Sequence, residues 1–305
     1  MKLTNKLNLP RSIENAVRND PYNRGDANIS VTTLIGPARI RALIAKHADE
    51  IEEDVSDRIW ALLGQIAHGI LERADDDSFT EERLFIQRHG WRISGSFDRY
   101  SLESDGRLSD YKLTSTYSIK DGAKPEWAAQ TNIYALMLRE HGYQVSRQEI
   151  VAILRDWQKS KAKNSQYNYP QQSVAVIPVP VWPQEQTETY IRQRLIAHGK
   201  AQHELPECSN EERWATAAVY AILKKGSKTA VSLHNSPEDA VEALKGLPAY
   251  TGAYSIVERP SEQRRCADYC IALPFCTQGQ ELLQKSHNYK VSKMWNVNIK
   301  IPQAV

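Results

Sequence analysis

The 305-residue sequence predicts an α/β fold of the α+β kind, in which a central sheet is flanked by helices and followed by a small second module. Three observations carry this. Val55, Ile59, Leu62, Ile66 and Ile70 form an apolar stripe at helical spacing. Three strand-like segments follow, Glu81 to Arg88, Trp91 to Tyr100 and Leu108 to Leu113, separated by His89-Gly90 and by the polar turn Ser104-Asp105-Gly106, an antiparallel unit. A helical stretch from Ala123 to His141 and a strand from Gln148 to Leu154 close the domain.

Residues 1–29 are polar, carry Pro10, Pro21 and Gly25, and read as a loosely structured arm. Ile29 to Ile35 precedes Gly36-Pro37, and the spacing of Ile40, Leu43 and Ile44 predicts a helix starting after that proline. The helix from about Asp54 to Arg73 places His68 nearly opposite its apolar stripe, on the side of Gly64. Trp60, Ala61, Ala67 and Leu71 fill much of its circumference, so it reads as buried on more than one face.

In the hairpin from Asp98 to Lys112, side chains alternate faces, so Asp110 and Lys112 share one side while Tyr111 takes the other. With Asp98 on the neighbouring arm turned the same way, two carboxylates and an ammonium converge. That is a cradle for a hard divalent cation and a phosphate. In the next helix Pro125 suits the first turn, Gly142 marks the stop, and Gln130 and Tyr134 lie one turn apart on one face.

Val174 to Val181 reads as an edge strand because it carries Pro178 and Pro180, and Glu185 to His203 as an amphipathic helix. A β-β-α-β module follows, with strands at Ala217 to Lys224 and Thr229 to Leu233 around Lys225-Gly226-Ser227-Lys228, a helix at Pro237 to Lys245 and a strand at Tyr254 to Arg259. The four cysteines, Cys208 and then Cys266-x3-Cys270-x5-Cys276, bracket this module. Four clustered thiols outside a secreted context point to zinc or an iron-sulfur cluster more than to disulfides; the plainer reading is four unlinked buried thiols.

Hydrophobic residues make up 41% and charged residues 25% of the chain, an ordinary globular composition. No apolar run has transmembrane length and no secretory signal follows Met1, so a cytoplasmic protein with no membrane partner is expected. A net charge of +2 does not announce nucleic-acid binding, although Arg155, Lys159, Lys161 and Lys163 form a local basic strip, as do Lys224, Lys225 and Lys228.

Asp98, Asp110-x-Lys112 and Gln130-x-x-x-Tyr134, preceded by Gly64-x-x-x-His68, resemble in order and spacing the PD-(D/E)xK nuclease superfamily, and within it the RecB-like branch. The resemblance covers about residues 30–156. It implies a mixed central sheet and a metal-dependent DNA nuclease, an exonuclease of phage or mobile-element type. His68, Asp98, Asp110 and the backbone carbonyl of Tyr111 would bind Mg2+ or Mn2+. Lys112 would sit beside the attacking water, and Gln130 and Tyr134 would position DNA or Lys112. Glu82 stays outside the metal set.

Relatives in this branch have a similar four-cysteine cluster, which implies a [4Fe-4S] centre at Cys208, Cys266, Cys270 and Cys276, with Zn2+ as the alternative. Cys208 departs from that pattern because it follows the nuclease core instead of preceding it. The implied partners are DNA, contacted by Lys159, Lys161 and Lys163, and a recombination or single-strand-binding protein, in a phage or bacterial host cytoplasm. Other readings are an endonuclease of restriction or CRISPR-adaptation type and a DNA-binding module that has lost catalysis. The expected organisation is an arm over 1–29, a nuclease core over 30–205, a cysteine-clamped module over 206–290 and a tail over 291–305.

Overall fold

The computed structural model describes residues 2–20, 25–74, 79–80, 82–102, 106–164, 169–247 and 252–293, with side chains up to residue 285. The chain divides into two units, Met1–Pro206 and Glu207–Val305. At the centre of the first is a five-stranded mixed sheet. In sequence, its strands are β4 (Phe79–Thr80), β7 (Arg99–Ser101), β8 (Arg107–Thr114), β9 (Arg147–Leu154) and β10 (Val174–Val179), and in space they run β10-β9-β8-β7-β4. Only β8 and β9 are parallel, in register from Arg107 opposite Arg147 to Thr114 opposite Leu154.

Parallel neighbours need a crossover, and helix α5 (Pro125–Glu140) supplies it. Pro125 starts the helix where no amide partner is needed, and Gly142 at φ +89° ends it. Every residue from Ala129 to Leu138 is buried. The helix is enclosed because it packs on this sheet and also on α2 (Val31–Ile35) and α7 (Gln184–Lys200).

A second sheet holds β2 (Ile29–Ser30), β6 (Trp91–Ser96) and β5 (Arg83–Arg88), with β2 parallel to β6 and β5 antiparallel to it. The segment from Trp91 to Tyr100, expected as one strand, therefore serves two sheets. It breaks at Phe97-Asp98. Phe97 turns into the core at 1% exposure, and the Asp98 carboxylate accepts the Tyr111 amide at 2.6 Å, so a side chain takes the place of a backbone partner at the seam. Ser104 and Asp105, read as the turn, lie outside the described residues. The β7–β8 pairing they connect is present, and Gly106 adopts φ +86°.

Two further expectations are corrected. The N-terminal segment carries defined elements in place of a loose arm: β1 (Lys2–Thr4) pairs in parallel with β3 (Glu52–Asp54), and α1 (Arg11–Arg18) follows β1. Asp54 holds this pairing, accepting the Thr4 hydroxyl at 2.9 Å, the Lys6 amide at 2.7 Å and the Ser56 amide at 3.0 Å.

Helix α3 (Ala38–Lys46) starts after Pro37 as read, but α4 (Ile59–Arg73) has no buried residue, and Trp60, Leu63, Ile66 and Ile70 are exposed. The single stripe counted from Val55 assumed one helical phase. Val55–Arg58 instead winds as a tighter 3-10 turn that buries Val55 and sets it apart from the α4 stripe.

In the second unit, β11 (Val219–Lys224), β12 (Ala230–His234), α8 (Pro237–Lys245) and β13 (Tyr254–Arg259) form an antiparallel sheet, ordered β12-β11-β13, with α8 packed on it around Ala221, Ile222, Ala240 and Leu244. Helix α9 (Thr277–Lys293) runs into the segment read as a tail, of which 294–305 lie outside the described residues. Among the described residues no helix is long and apolar enough to cross a membrane.

Candidate active site

Strand β8 supplies Asp110 and Lys112, whose side chains share a face because they lie two apart. Asp110 is 1% exposed, and Lys112 Nζ lies 2.6 Å from its Oδ2 as an ion pair. The approach makes no directed hydrogen bond, and neither carboxylate oxygen has a hydrogen-bond partner among the described residues. Burial pushes the Asp110 carboxyl up to about 6, the Lys112 charge opposes this, and the nearby Asp98 adds to it.

Asp98, at the break between β6 and β7, spends Oδ2 on the Tyr111 amide, and its Oδ1 lies 3.2 Å from His68 Nδ1 on α4. The His68 ring also meets Tyr111 edge-on, at 6.4 Å between centroids. From α5, Gln130 Oε1 accepts from Lys112 Nζ at 3.1 Å while its Nε2 donates to Tyr134 Oη at 3.0 Å. This chain gives the ammonium a second partner besides Asp110. Gly95 permits it, since a Cβ there would lie 2.8 Å from both the Tyr134 ring and Met137 Sδ.

The structure thus brings together His68, Asp98, Asp110, Lys112, Gln130 and Tyr134. Of Tyr111, it is the amide that meets Asp98. Asp98, Lys112, His68, Gln130 and Tyr134 line a cavity of about 290 Å3, together with Ser30, Thr32, Arg83, Ser94 and Ser96, which the sequence reading did not single out. Ser94 is fully buried and its hydroxyl has no hydrogen-bond partner among the described residues. Ser30 and Thr32 come from β2 and α2, and Ser94 and Arg83 are brought in by the β2–β6 and β6–β5 pairings. Glu82 is exposed. Lys159, Lys161 and Lys163 are exposed on the short helix α6 (Lys159–Lys163).

Among the described residues no group of three or more His, Cys, Asp or Glu is arranged to hold a metal ion. In the nuclease unit the carboxylates face His68 and Lys112. The donor set nonetheless fits a hard divalent cation, with two carboxylates, an imidazole, and buried Asp110 oxygens that lack hydrogen bonds.

In the second unit Cys208, Cys266 and Cys276 are buried, Cys270 is half-buried, and none forms a disulfide. Burial raises the Cys266 thiol, and neighbouring Cys270 and Cys276 raise it further. Gln278 ties Cys208 to the start of α9, accepting its amide at 2.9 Å and donating to its carbonyl at 3.0 Å. A Cβ on Gly279 would lie 2.9 Å from Leu273 Cδ1, with Cys276 Sγ at 3.6 Å and Cys266 Sγ at 3.8 Å, so this glycine makes room for Leu273 beside the two thiols. In its donors, this set fits a thiolate-bound metal.

Strand β8 thus carries buried Asp110 beside Lys112, with Asp98 across the hairpin. The model of the PD-(D/E)XK nuclease superfamily matches residues 30–277, and the chain belongs to that superfamily. Its members are nucleases, hydrolases of phosphodiester bonds. Among solved structures, SSO0001 is similar at a TM-score of 0.42 and 17% identity, over 60% of this chain and 83% of that one. A Eubacterium rectale protein given as a candidate exonuclease has a TM-score of 0.30 and 13% identity, over 53% of this chain and 56% of that one. No curated protein matches.

Proposed function

We propose that the chain is a metal-dependent deoxyribonuclease that works as an exonuclease, of the RecB-like branch and of phage or mobile-element type. The observation that carries this is the convergence of Asp98, Lys112 and His68 on one cavity, with buried Asp110 paired to Lys112 and the Gln130–Tyr134 pair also against the lysine. His68, Asp98 and Asp110 are the residues that would hold Mg2+ or Mn2+, and Asp110 gains most, because a cation would compensate its buried charge. A divalent ion there supplies Lewis acidity toward a phosphate oxygen and lowers the pKa of water.

Lys112 presents positive charge where negative charge builds on the phosphate during attack. Gln130 acts through Lys112, holding Nζ in place, and Tyr134 fixes the amide of Gln130. Lys159, Lys161 and Lys163 add phosphate contacts.

The cysteine set is assigned a structural [4Fe-4S] cluster, supported by the mutual proximity of Cys266, Cys270 and Cys276 and by Gln278, which ties Cys208 to the start of α9. Hydrolysis requires no electron transfer, and a four-thiolate clamp closes the long loop from Cys208 to Cys276. Protein purified without oxygen should be brown and bleach with dithionite. Colourless protein with one equivalent of zinc would replace the cluster with a zinc site.

The exonuclease reading is tested by incubating the chain and Mg2+ or Mn2+ with end-labelled linear single and double strands and with a closed circle of the same sequence. Progressive shortening of linear DNA with an intact circle supports it. Opening of the circle would make the protein an endonuclease.

A further inference from the structure

Beyond the last residues of β8 and β9, aromatic rings and cations alternate at the surface. Trp60, the second residue of α4, is 57% exposed, and the guanidinium of Arg155 lies over its ring at 4.0 Å. Tyr117 is 61% exposed, with Lys120 Nζ 4.6 Å from its ring centroid.

The fold puts both rings at the same end of the sheet. Arg155 directly follows β9, and its amide donates to the Thr114 carbonyl that ends β8 at 2.9 Å. Tyr117 lies in the turn Thr116–Ile119 just after β8, and Asp156 pins that turn by accepting the Thr116 amide at 2.7 Å. Lys112 and Thr114 lie two positions apart on β8, about 7 Å at the usual strand rise, so the platform begins close to the catalytic lysine. Lys159, Lys161 and Lys163 continue the positive charge along the chain. Two acids lie in the same stretch, Asp156, which accepts from Thr116, and Asp121, 3.6 Å from Lys120 Nζ.

We propose that Trp60 and Tyr117, each backed by its cation, form a stacking platform for the unpaired bases of single-stranded DNA on its way to the cleft. This rests on the nuclease reading and adds the substrate class to it. A duplex hides its base faces within its own stack, whereas a single strand offers a π-face at every nucleotide, whatever its sequence. A cation against the ring strengthens its hold on bases and neutralises the adjacent phosphate. Large aromatics left half exposed beside a basic run suit this ligand. Trp127 makes the contrast, since Lys124 lies 5.0 Å from its ring centroid but the ring is only 8% exposed and serves the core.

The test is equilibrium binding by the full-length chain, in EDTA, of a fluorescein-labelled 20-nucleotide single strand, its blunt duplex and an abasic strand of equal length. Trp60→Ala and Tyr117→Ala should each weaken single-strand binding about fivefold or more, from stacking energies of roughly 1–3 kcal/mol per base. Duplex and abasic-strand binding should change less than about twofold, because phosphate contacts remain. Trp60→Phe and Tyr117→Phe should keep most of the wild-type affinity. Alanine variants that hold the normal strand as tightly as wild type, as expected of rings that dock a protein, would overturn the platform. So would an equal loss on all three ligands. Because EDTA removes cleavage from the measurement, an inactive hydrolytic centre would leave these results unchanged, and the two readings fail separately.

Discussion

If Gln130 serves catalysis only by holding Lys112, removing both side chains should cost little more than removing Lys112 alone. Lys112 Nζ sits between Asp110 Oδ2 at 2.6 Å and Gln130 Oε1 at 3.1 Å, with its side chain 22% exposed. Lys112→Met keeps the apolar stem and deletes the charge. Losing one preorganised charge at a developing anion costs about 10²–10³-fold in turnover, some 2.7–4 kcal/mol. Gln130→Ala removes one hydrogen bond to a charged group, worth about 1.5–3 kcal/mol, or roughly 10- to 150-fold. In the Lys112→Met background that second loss has nothing to act on, so the coupling energy should approach the whole Gln130 effect.

The assay is single-turnover cleavage of an end-labelled oligonucleotide by all four proteins in saturating Mn2+. It is run well below the lowest Tm, since Lys112→Met leaves Asp110 buried without its ion pair and will melt earlier. Additive losses would refute the positioning role and place Gln130 on the substrate itself.

Replacing Lys159, Lys161 and Lys163 together by Gln should flatten the dependence of log K on log salt for a single strand by about 2, three contacts at roughly 0.7 each; an unchanged slope would make them solvated surface. Gly106→Ala should lower stability by more than about 1 kcal/mol in a denaturant melt, because φ is +86° and a Cβ would collide with the Gln144 carbonyl that also accepts the Tyr100 hydroxyl at 2.6 Å. The Lys6 and Ser56 amides hold the Asp54 carboxyl well below the ordinary range. A depressed folded pKa contributes stability that is present above the unfolded value, about 3.9, and is lost as pH falls toward the folded one. The gap in Tm between wild type and Asp54→Ala should therefore narrow below about pH 4; a gap that widens on acidification would contradict the assignment.

Asp110, Lys112, Gln130 and Tyr134 were legible because their geometry is local. Strand alternation pairs the first two, and one helical turn pairs the others. Their meeting depends on α5 crossing over the sheet, which the helix-then-strand order after β8 implied. What the sequence concealed was set by long-range contacts or by small changes of local phase. Ser94 reaches the cavity only because β6 pairs with both β2 and β5. Arg155 meets Trp60 across 95 positions. A 3-10 turn at Val55–Arg58 detaches Val55 from α4, and Trp91 to Tyr100 is divided between two sheets where a carboxylate takes the place of a ladder partner. Neither leaves a mark in hydrophobic periodicity.

The central claim, hydrolysis at Asp98, Asp110 and Lys112, is tested most directly by Asp110→Asn. The substitution keeps side-chain volume and removes one of the two carboxylate charges that a cation would compensate, the more deeply buried one. On an end-labelled linear strand with Mg2+ or Mn2+, wild type should cut and Asp110→Asn should not, while the variant binds the same strand in EDTA as tightly as wild type or more so. Near-wild-type turnover by Asp110→Asn would contradict the account and move the chemistry elsewhere.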